Sequence, residues 1–205
     1  AVDGRQIGTF RLEARERRLV AARDSLLLTA SVTSAEPVNG VVTVGDRVSA
    51  QVDPETLIPY QLDLKLSGSL AVLNQSVQWE PTANFINFGS GRVEVPVGTH
   101  SLLSLVYAMR SFNLKRSIDR SHPSNDTRVA VFWRDKPNVF ILRPADPEDL
   151  TINGEKVPAQ MITVVTQDPQ LDRAGLKIWL SADERRVPLR FSFGSYQADL
   201  IRYIR

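Results

Sequence analysis

The sequence predicts a mainly β fold: an antiparallel curved sheet or partly closed barrel packed around one amphipathic α-helix. Apolar and polar residues alternate with a period of two along most of the 205 residues, which is typical of half-buried strands. Glycine, proline and asparagine mark turns between these runs. A single segment has helical spacing instead, so many strands and one helix are expected.

The clearest strand covers residues 60–66, where Leu62, Leu64 and Leu66 alternate with Asp63 and Lys65. Successive side chains of a strand point to opposite faces, so the leucines are expected in the core. A register slip of one residue would bury both charges, which predicts a firmly set register. Further strands are predicted at 10–14, 26–32, 48–52, 129–133, 139–141, 176–180, 187–193 and 194–203, with Asn39-Gly40 and Asn153-Gly154 as the strongest hairpin turns.

A helix is predicted at about residues 99–112. Its apolar positions recur every three or four residues and form one stripe, at Leu102, Leu105, Val106, Met109 and Phe112. Thr99 or Ser101 can cap its first turn by accepting hydrogen bonds from free backbone N–H groups. We expect the stripe to pack onto the sheet, within a single β-rich domain of residues 1–205.

A polar loop is predicted at about residues 113–127, directly after the helix. It is long for a connection inside a compact domain, which is typical of functional or mobile segments. It carries Lys115, Arg116 and Arg120, and these are candidate contacts for an anionic partner such as a lipid headgroup or an acidic protein patch. Peripheral membrane contact is therefore one hypothesis for this loop, and simple mobility is the other.

Composition excludes several kinds of chemistry. The chain has 25 basic and 23 acidic residues, a net charge of +2, and this balance argues against nucleic acid as a partner. It contains no cysteine, so disulfides, thiol nucleophiles and cysteine-bound metals are excluded. The only histidines are His100 and His122, too few for a histidine-rich metal site, and no cofactor or metal is expected. No apolar run reaches the roughly 20 residues of a membrane-spanning helix.

Paired carboxylates are the remaining candidates for catalysis. They occur at Asp146/Glu148/Asp149 and at Asp183/Glu184, both in predicted turns where full solvation is the simpler interpretation. The neighbours His100 and Ser101 cannot form a nucleophile–base contact directly, because adjacent residues of a helix point in different directions. We therefore expect no enzyme activity, with a carboxylate-dependent hydrolase as the alternative.

Three tryptophans are candidate contacts for a ligand or partner: Trp79, Trp133 and Trp179. Trp179 shares a strand face with Lys177 and Ser181, so it is either covered by another element or available to a ligand. For all three, packing against the helix or a neighbouring strand is the competing interpretation.

Four segments carry a family resemblance, at residues 53–59, 101–110, 177–190 and 194–200. They include the run Asp-Pro-Glu-Thr-Leu-Ile-Pro, a leucine-rich helix ending in arginine, and a tryptophan strand followed by an acidic turn. In these segments the chain resembles family 3108 of exported bacterial domains of unknown function. The resemblance implies a β-rich, exported and periplasmic protein, and it implies no catalytic residues. The chain starts at Ala1 without an initiator methionine, as either a trimmed chain or a processed mature chain would.

These observations together favour a non-catalytic cell-envelope protein that binds an apolar ligand or a partner protein in a concave sheet. The alternatives are an envelope-associated hydrolase that uses paired carboxylates and a purely structural interaction module. A deep apolar cavity would favour the first, two close buried carboxylates the second, and a flat exposed apolar patch the third. The oligomeric state is open.

Overall fold

Strands dominate the protein. The computed structural model describes residues 1, 5–20, 23–36, 42–80, 83–116, 126–166 and 168–204. Strands account for 56% of the structure, arranged in two antiparallel sheets, which confirms the mainly β class predicted from the alternation. By its contacts the chain divides into an N-terminal unit (Gln6–Ala108 with Ala130–Pro137) and a C-terminal unit (Ala1–Arg5, Met109–Val129 and Asn138–Arg205). A single functional domain stays a prediction.

The N-terminal unit holds a sheet of eight strands over its described residues. Their bounds are β1 Gly8–Ala14, β2 Arg18–Val20, β3 Arg23–Ala35, β4 Arg47–Val52, β5 Pro59–Lys65, β6 Gln75–Glu80, β7 Phe85–Phe88 and β8 Gly91–Glu94, with a 3₁₀ helix at Gly68–Leu73. From β3 to β8 each strand pairs with the next, and both β1 and β2 pair with β3. The sheet is therefore a meander, and it needs only short antiparallel connections.

One face of this sheet forms the core of the unit. Leu62 is buried and Leu64 packs against the same cluster, as the alternation predicted, while Leu66 lies beyond the end of β5 and is only half-buried. Trp79 is in the middle of the cluster, and its ring meets that of Phe132 edge-on with 5.9 Å between centroids. The predicted hairpin turn at Asn39-Gly40 lies outside the described residues.

The helix is shorter than predicted. The helix α1 covers Leu102–Ala108 and packs against β3 and β4, so the expected 99–112 overestimates it at both ends. The predicted stripe is confirmed in part, because Leu105 and Met109 are buried while Leu102 and Val106 are only half-buried. In addition, Leu103 enters the core of the unit and Tyr107 packs beside it. Regular helix hydrogen bonding begins only after Ser101.

A buried polar network fixes the start of α1. The Ser101 hydroxyl accepts from the Ser104 backbone N–H (3.1 Å), and the Ser104 hydroxyl accepts from the Ser101 N–H (3.0 Å). This reciprocal arrangement satisfies two donors that a helix start leaves free. The His100 ring lies 3.2 Å from the Ser104 hydroxyl and also hydrogen bonds the Leu57 backbone. Leu57 has a φ of 57°, a left-handed conformation that leucine rarely adopts, so the ring supports a strained residue.

The C-terminal sheet consists of six strands over its described residues, in the order β14-β13-β12-β11-β10-β9. Their bounds are β9 Thr127–Trp133, β10 Lys136–Ile152, β11 Glu155–Val165, β12 Lys177–Ser181, β13 Pro188–Phe193 and β14 Tyr196–Asp199, with a second helix, α2, at Pro169–Ala174. The predicted turn at Asn153-Gly154 joins β10 to β11, and both residues have positive φ, as a type I′ turn requires.

Two sequence predictions for this unit need correction. At the start of β10, Phe140 and Leu142 are buried, whereas Val139 and Ile141, the apolar positions of the strand predicted at 139–141, are only half-buried. A short alternating run does not identify its own inner face when both faces carry apolar residues. The helix α2 was not predicted, although Asp168 caps it through a 2.8 Å hydrogen bond from the Gln170 N–H and Gly175 ends it. No described helix is long and apolar enough to span a bilayer.

Leu62→Ala tests the assignment of the inner face of β5. Removing this buried side chain leaves a cavity, so we expect the free energy of unfolding to fall by about 2–5 kcal/mol. Lys65→Ala, at the exposed end of the same strand, should change it by less than about 0.5 kcal/mol. Urea denaturation measures both, and equal losses would contradict the assignment.

His100 should make stability depend on pH. Burial lowers the pKa of His100 below its ordinary value of 6.5, so below that pH the unfolded chain binds a proton that the folded chain resists. Stability should be complete above about pH 7 and fall as the pH drops through about 6.5, with a slope of at most about 1.4 kcal/mol per pH unit. Urea denaturation between pH 5 and 8 measures the slope. His100→Gln should remove most of it, and an unchanged slope would show that another group titrates.

Candidate functional site

The C-terminal unit carries an apolar cleft of about 280 Å³. It opens beside β11, β12 and β13 and onto the buried cluster that contains Leu150, Ala159 and Leu189. We call it the C-terminal cleft, and its apolar lining comprises Val157, Pro158, Val187, Leu189, Leu200 and Tyr203. Three polar residues complete the lining: Ser181, Asp183 and Arg185. An apolar surface with a few convergent polar groups is typical of small-molecule sites.

The turn between β12 and β13 shapes one side of the cleft. The Ser181 hydroxyl donates to Asp183 (2.5 Å) and accepts from the Val187 backbone N–H (2.8 Å). The Ser181 N–H donates to the Val187 carbonyl (2.8 Å), and the Ala182 N–H donates to the Pro158 carbonyl (2.9 Å). These bonds close the turn and attach it to β11, so its side chains are held in fixed positions.

Asp183 is the only acid in the cleft lining, and it is held ionised. The hydrogen bond from Ser181 and the ion pair with Arg185 lower the pKa of this carboxyl below its ordinary value. The Arg185 guanidinium contacts the second carboxylate oxygen, at 2.7 Å through Nε and 2.6 Å through Nη2. From the end of α1, Arg110 donates twice to the Arg185 carbonyl, at 3.1 and 3.0 Å. Asp183 therefore serves as an acceptor within the turn, because a general acid would need a raised pKa.

The chain after β14 forms the opposite side. The Leu200 N–H donates to the Leu189 carbonyl (2.8 Å), and the Asn153 side chain donates to the carbonyls of Leu200 (3.2 Å) and Ile201 (3.3 Å). Leu200 packs on the buried cluster, while Tyr203 keeps 45% of its surface exposed. The tail thus offers Tyr203 to a bound molecule without burying it in the fold.

A second depression, of about 260 Å³, shares Ser181 and Asp183 with the cleft. We call it the polar depression, and its remaining lining is Asn113, Leu114, Pro147, Gln160, Ala182 and Arg186. Gln160 is oriented by a hydrogen bond from its amide to the Ala145 carbonyl (3.2 Å). Arg186 has a φ of 47° and donates to the Phe112 carbonyl. Burial lowers the pKa of its guanidinium.

Two of the three tryptophans pack against hydrophobic clusters. Trp79 is 6% exposed, and its indole N–H donates to the Thr99 carbonyl (3.0 Å), so it belongs to the core. Trp179 packs against the cluster beneath the cleft and donates to Glu148 (3.0 Å). The indole N–H of Trp133 is buried without a hydrogen-bond partner among the described residues. The interpretation of the tryptophans as packing residues therefore holds for Trp79 and Trp179.

The basic residues proposed as an anionic contact are not assembled into one surface by the described residues. Lys115 is exposed, and Arg116 forms an ion pair with Asp146. Arg120 lies outside the described residues, as do His122 and positions 117–125 of the predicted loop. A contact role for this loop stays a prediction.

The paired acids have structural partners or face solvent. Asp146 pairs with Arg116, Glu148 accepts from Trp179, and Glu184 is exposed. Over the part of the chain that is described, no three metal-binding side chains come together. The contact between His100 and Ser104 joins a base to a hydroxyl, but both residues are buried and the hydroxyl is engaged in capping α1.

Sequence reasoning missed the residues that form the cleft. Pro158 and Tyr203 come from segments without a motif, and Leu200 ends a segment that resembles a family. Nothing in the spacing of these residues predicts that they line one cleft. Arg186 was noted only as part of a segment that resembles a family. One signal was present, since the acidic turn at Asp183 was identified, although as a candidate carboxylate pair rather than as the rim of a cleft.

Comparison with known proteins gives one family and one distant structural likeness. The model of a family described as "Protein of unknown function (DUF3108)" matches residues 1–201, and it is the family that four segments of the sequence resemble. The chain is also similar to the "Beta-barrel-like Protein of Domain of Unknown Function DUF1849 from Brucella abortus", with 10% identity and a TM-score of 0.37, over 85% of this chain and 70% of that one. A TM-score this low supports no inference about function. No curated protein matches the chain.

Proposed function

The chain belongs to DUF3108, a family of proteins of unknown function, and from the geometry of its C-terminal unit we propose that it is a non-catalytic binding protein whose C-terminal cleft holds an apolar ligand. The observation that carries this proposal is the lining of the cleft. Six apolar side chains surround a volume of about 280 Å³, and the polar residues of the lining are already engaged within the β12–β13 turn.

The size of the cleft limits what it can bind. At roughly 30 Å³ for each water-sized group, it accommodates about nine such groups, so an alkyl chain of about eight carbons fits. Burying eight methylene-sized groups contributes about 6 kcal/mol at ~0.8 kcal/mol each, whereas association costs at least ~4 kcal/mol. Apolar burial by itself then gives millimolar affinity or weaker. A natural ligand therefore needs a further contact beyond the cleft.

A hydrolase that uses paired carboxylates has less support. Acid–base work by two carboxylates needs environments that push their pKa values apart, with one of them raised. Asp183 has a lowered pKa, and Glu184 beside it is exposed. For this reason we propose binding without catalysis as the role of the cleft.

We further propose that the protein works in the cell envelope after export. The resemblance of four sequence segments to an exported family supports this, and a chain without cysteine fits a reducing or an oxidising compartment equally. Fractionation of cells that express the complete reading frame with a C-terminal tag tests it. The tagged protein should be recovered with the periplasmic or envelope fraction, and recovery with the cytosol would contradict it.

Tyr203→Ala tests the cleft itself. The probe is 1-octanol, which is uncharged, and amide chemical shifts of the ¹⁵N-labelled protein report binding. Shifts should concentrate at Val157, Val187 and Leu189, and the variant should bind about fivefold more weakly because one side of the cleft is truncated.

Tyr196→Ala is the matched control. Tyr196 is 41% exposed, close to the 45% of Tyr203, but it lies on β14 outside the cleft lining. The control should bind octanol like the parent. Absence of shifts at the cleft residues, or equal weakening in the two variants, would refute the proposed site.

A further inference from the structure

Arg186 is the cation of the C-terminal unit whose position lacks an obvious structural reason. Within the described part of the chain no carboxylate pairs with it, and its side chain bonds only the Phe112 carbonyl. The preceding residue differs, since Arg185 pairs with Asp183. On β13, Arg190 likewise forms a two-point ion pair with Asp199, at 2.5 and 2.7 Å.

The position of Arg186 is energetically unfavourable in two respects. The guanidinium is half-buried, and partial removal of a charge from water without a counter-ion is unfavourable. The backbone of Arg186 also lies in the left-handed region, with a φ of 47°, where residues other than glycine are strained. Strain and an unpaired buried charge together are typical of functional positions.

The surroundings of Arg186 are suited to an anion. Asn113 lines the same polar depression with an amide group that can donate hydrogen bonds, while the Gln160 amide already donates to the carbonyls of Ala145 (3.2 Å) and Leu114 (3.5 Å). The one acid in that lining, Asp183, already has its oxygens occupied by Ser181 and Arg185, so its charge is largely offset.

The polar depression adjoins the C-terminal cleft. Ser181 and Asp183 line both, which places the two depressions on either side of the same pair of side chains. A molecule that fills the cleft and extends past the β12–β13 turn therefore reaches Arg186. The C-terminal cleft provides an apolar surface, and the polar depression provides the Arg186 cation, which has no carboxylate partner among the described residues. The combined site is therefore complementary to an amphipathic anion.

We propose that the ligand of the cleft is a single-chain amphiphile with a terminal oxyanion, whose alkyl chain lies in the C-terminal cleft and whose carboxylate or phosphate binds Arg186. This inference rests on the proposed function of the cleft and names the ligand class. Guanidinium groups bind carboxylate and phosphate through paired hydrogen bonds, so either headgroup satisfies the site.

The test compares probes that share one alkyl chain: octanoate, octyl phosphate and 1-octanol, titrated into the full chain at pH 7.5 and followed by amide chemical shifts. At least one anionic probe should bind ten- to about a hundredfold more tightly than octanol, the range expected for hydrogen bonds to a charged group. The preferred anion distinguishes a carboxylate from a phosphate source. Added salt should weaken the binding of the anionic probe and leave the binding of octanol unchanged.

Variants of Arg186 and Arg173 distinguish the proposed anion site from the proposed apolar cleft. Arg186→Gln keeps the backbone conformation as strained as before. It should bind the anion at least tenfold more weakly than the parent and bind octanol with unchanged affinity. Arg186→Lys should recover part of the loss. Arg173→Gln removes the same charge from the exposed surface of α2 and should bind like the parent. Thermal denaturation of each variant confirms that it is folded.

The possible results of these titrations distinguish the anionic ligand from the apolar cleft. Equal affinity of the parent for octanol and both anions, or equal losses in the Arg186 and Arg173 variants, overturns the anionic ligand and leaves the apolar cleft in place. Arg186-dependent binding of an anion without octanol binding supports the anion site and overturns the apolar cleft. If none of the three probes binds, both proposals fail.

Discussion

The N-terminal unit depends on the satisfaction of every polar group in residues 99–104, a segment that runs through its core. The His100 N–H donates to the Ala130 carbonyl and the His100 carbonyl accepts from Phe132, both at 2.8 Å. The Thr99 carbonyl accepts the indole N–H of Trp79. Since a buried polar group without a partner costs more than its hydrogen bond contributes, these contacts determine the path of the chain and hence where α1 begins.

The same segment links two of the stretches that carry the family resemblance. The run at residues 53–59 forms the loop between β4 and β5, in which Asp53 accepts from the Thr56 N–H (2.8 Å) and from the Tyr60 hydroxyl (2.9 Å). These bonds, of which the one from Thr56 has the largest effect, lower the pKa of Asp53. The loop ends at the strained Leu57, whose backbone bonds His100. The loop and the leucine-rich helix thus support each other through one imidazole.

In the C-terminal unit, the hydrogen bonds that stabilise the β12–β13 turn also hold the polar side chains that line the proposed site. Ser181 and Asp183 close the β12–β13 turn with short hydrogen bonds, and Asp183 in addition neutralises Arg185. Glu184, the other acid of the turn, is exposed and forms no ion pair with Arg186 among the described residues, and the Arg186 side chain is held in place by the Phe112 carbonyl. A fixed cation beside an apolar surface favours recognition of charge and shape together. Catalysis would instead require a group with a pKa raised towards neutrality, and Asp183 is shifted the other way.

The sequence by itself determined the fold class, the register of β5, the turn at Asn153-Gly154 and the presence of a capped helix near Ser101. These are local properties, because side-chain periodicity and turn chemistry act over a few residues. Tertiary structure decided the rest. It added Leu103 to the buried face of the helix, buried Phe140 rather than Val139 in β10, and brought Tyr203 and Arg185 into the lining of one cleft. Each of these outcomes depends on which strands pair and on what covers each face, and such long-range packing is not encoded in the spacing of any single segment.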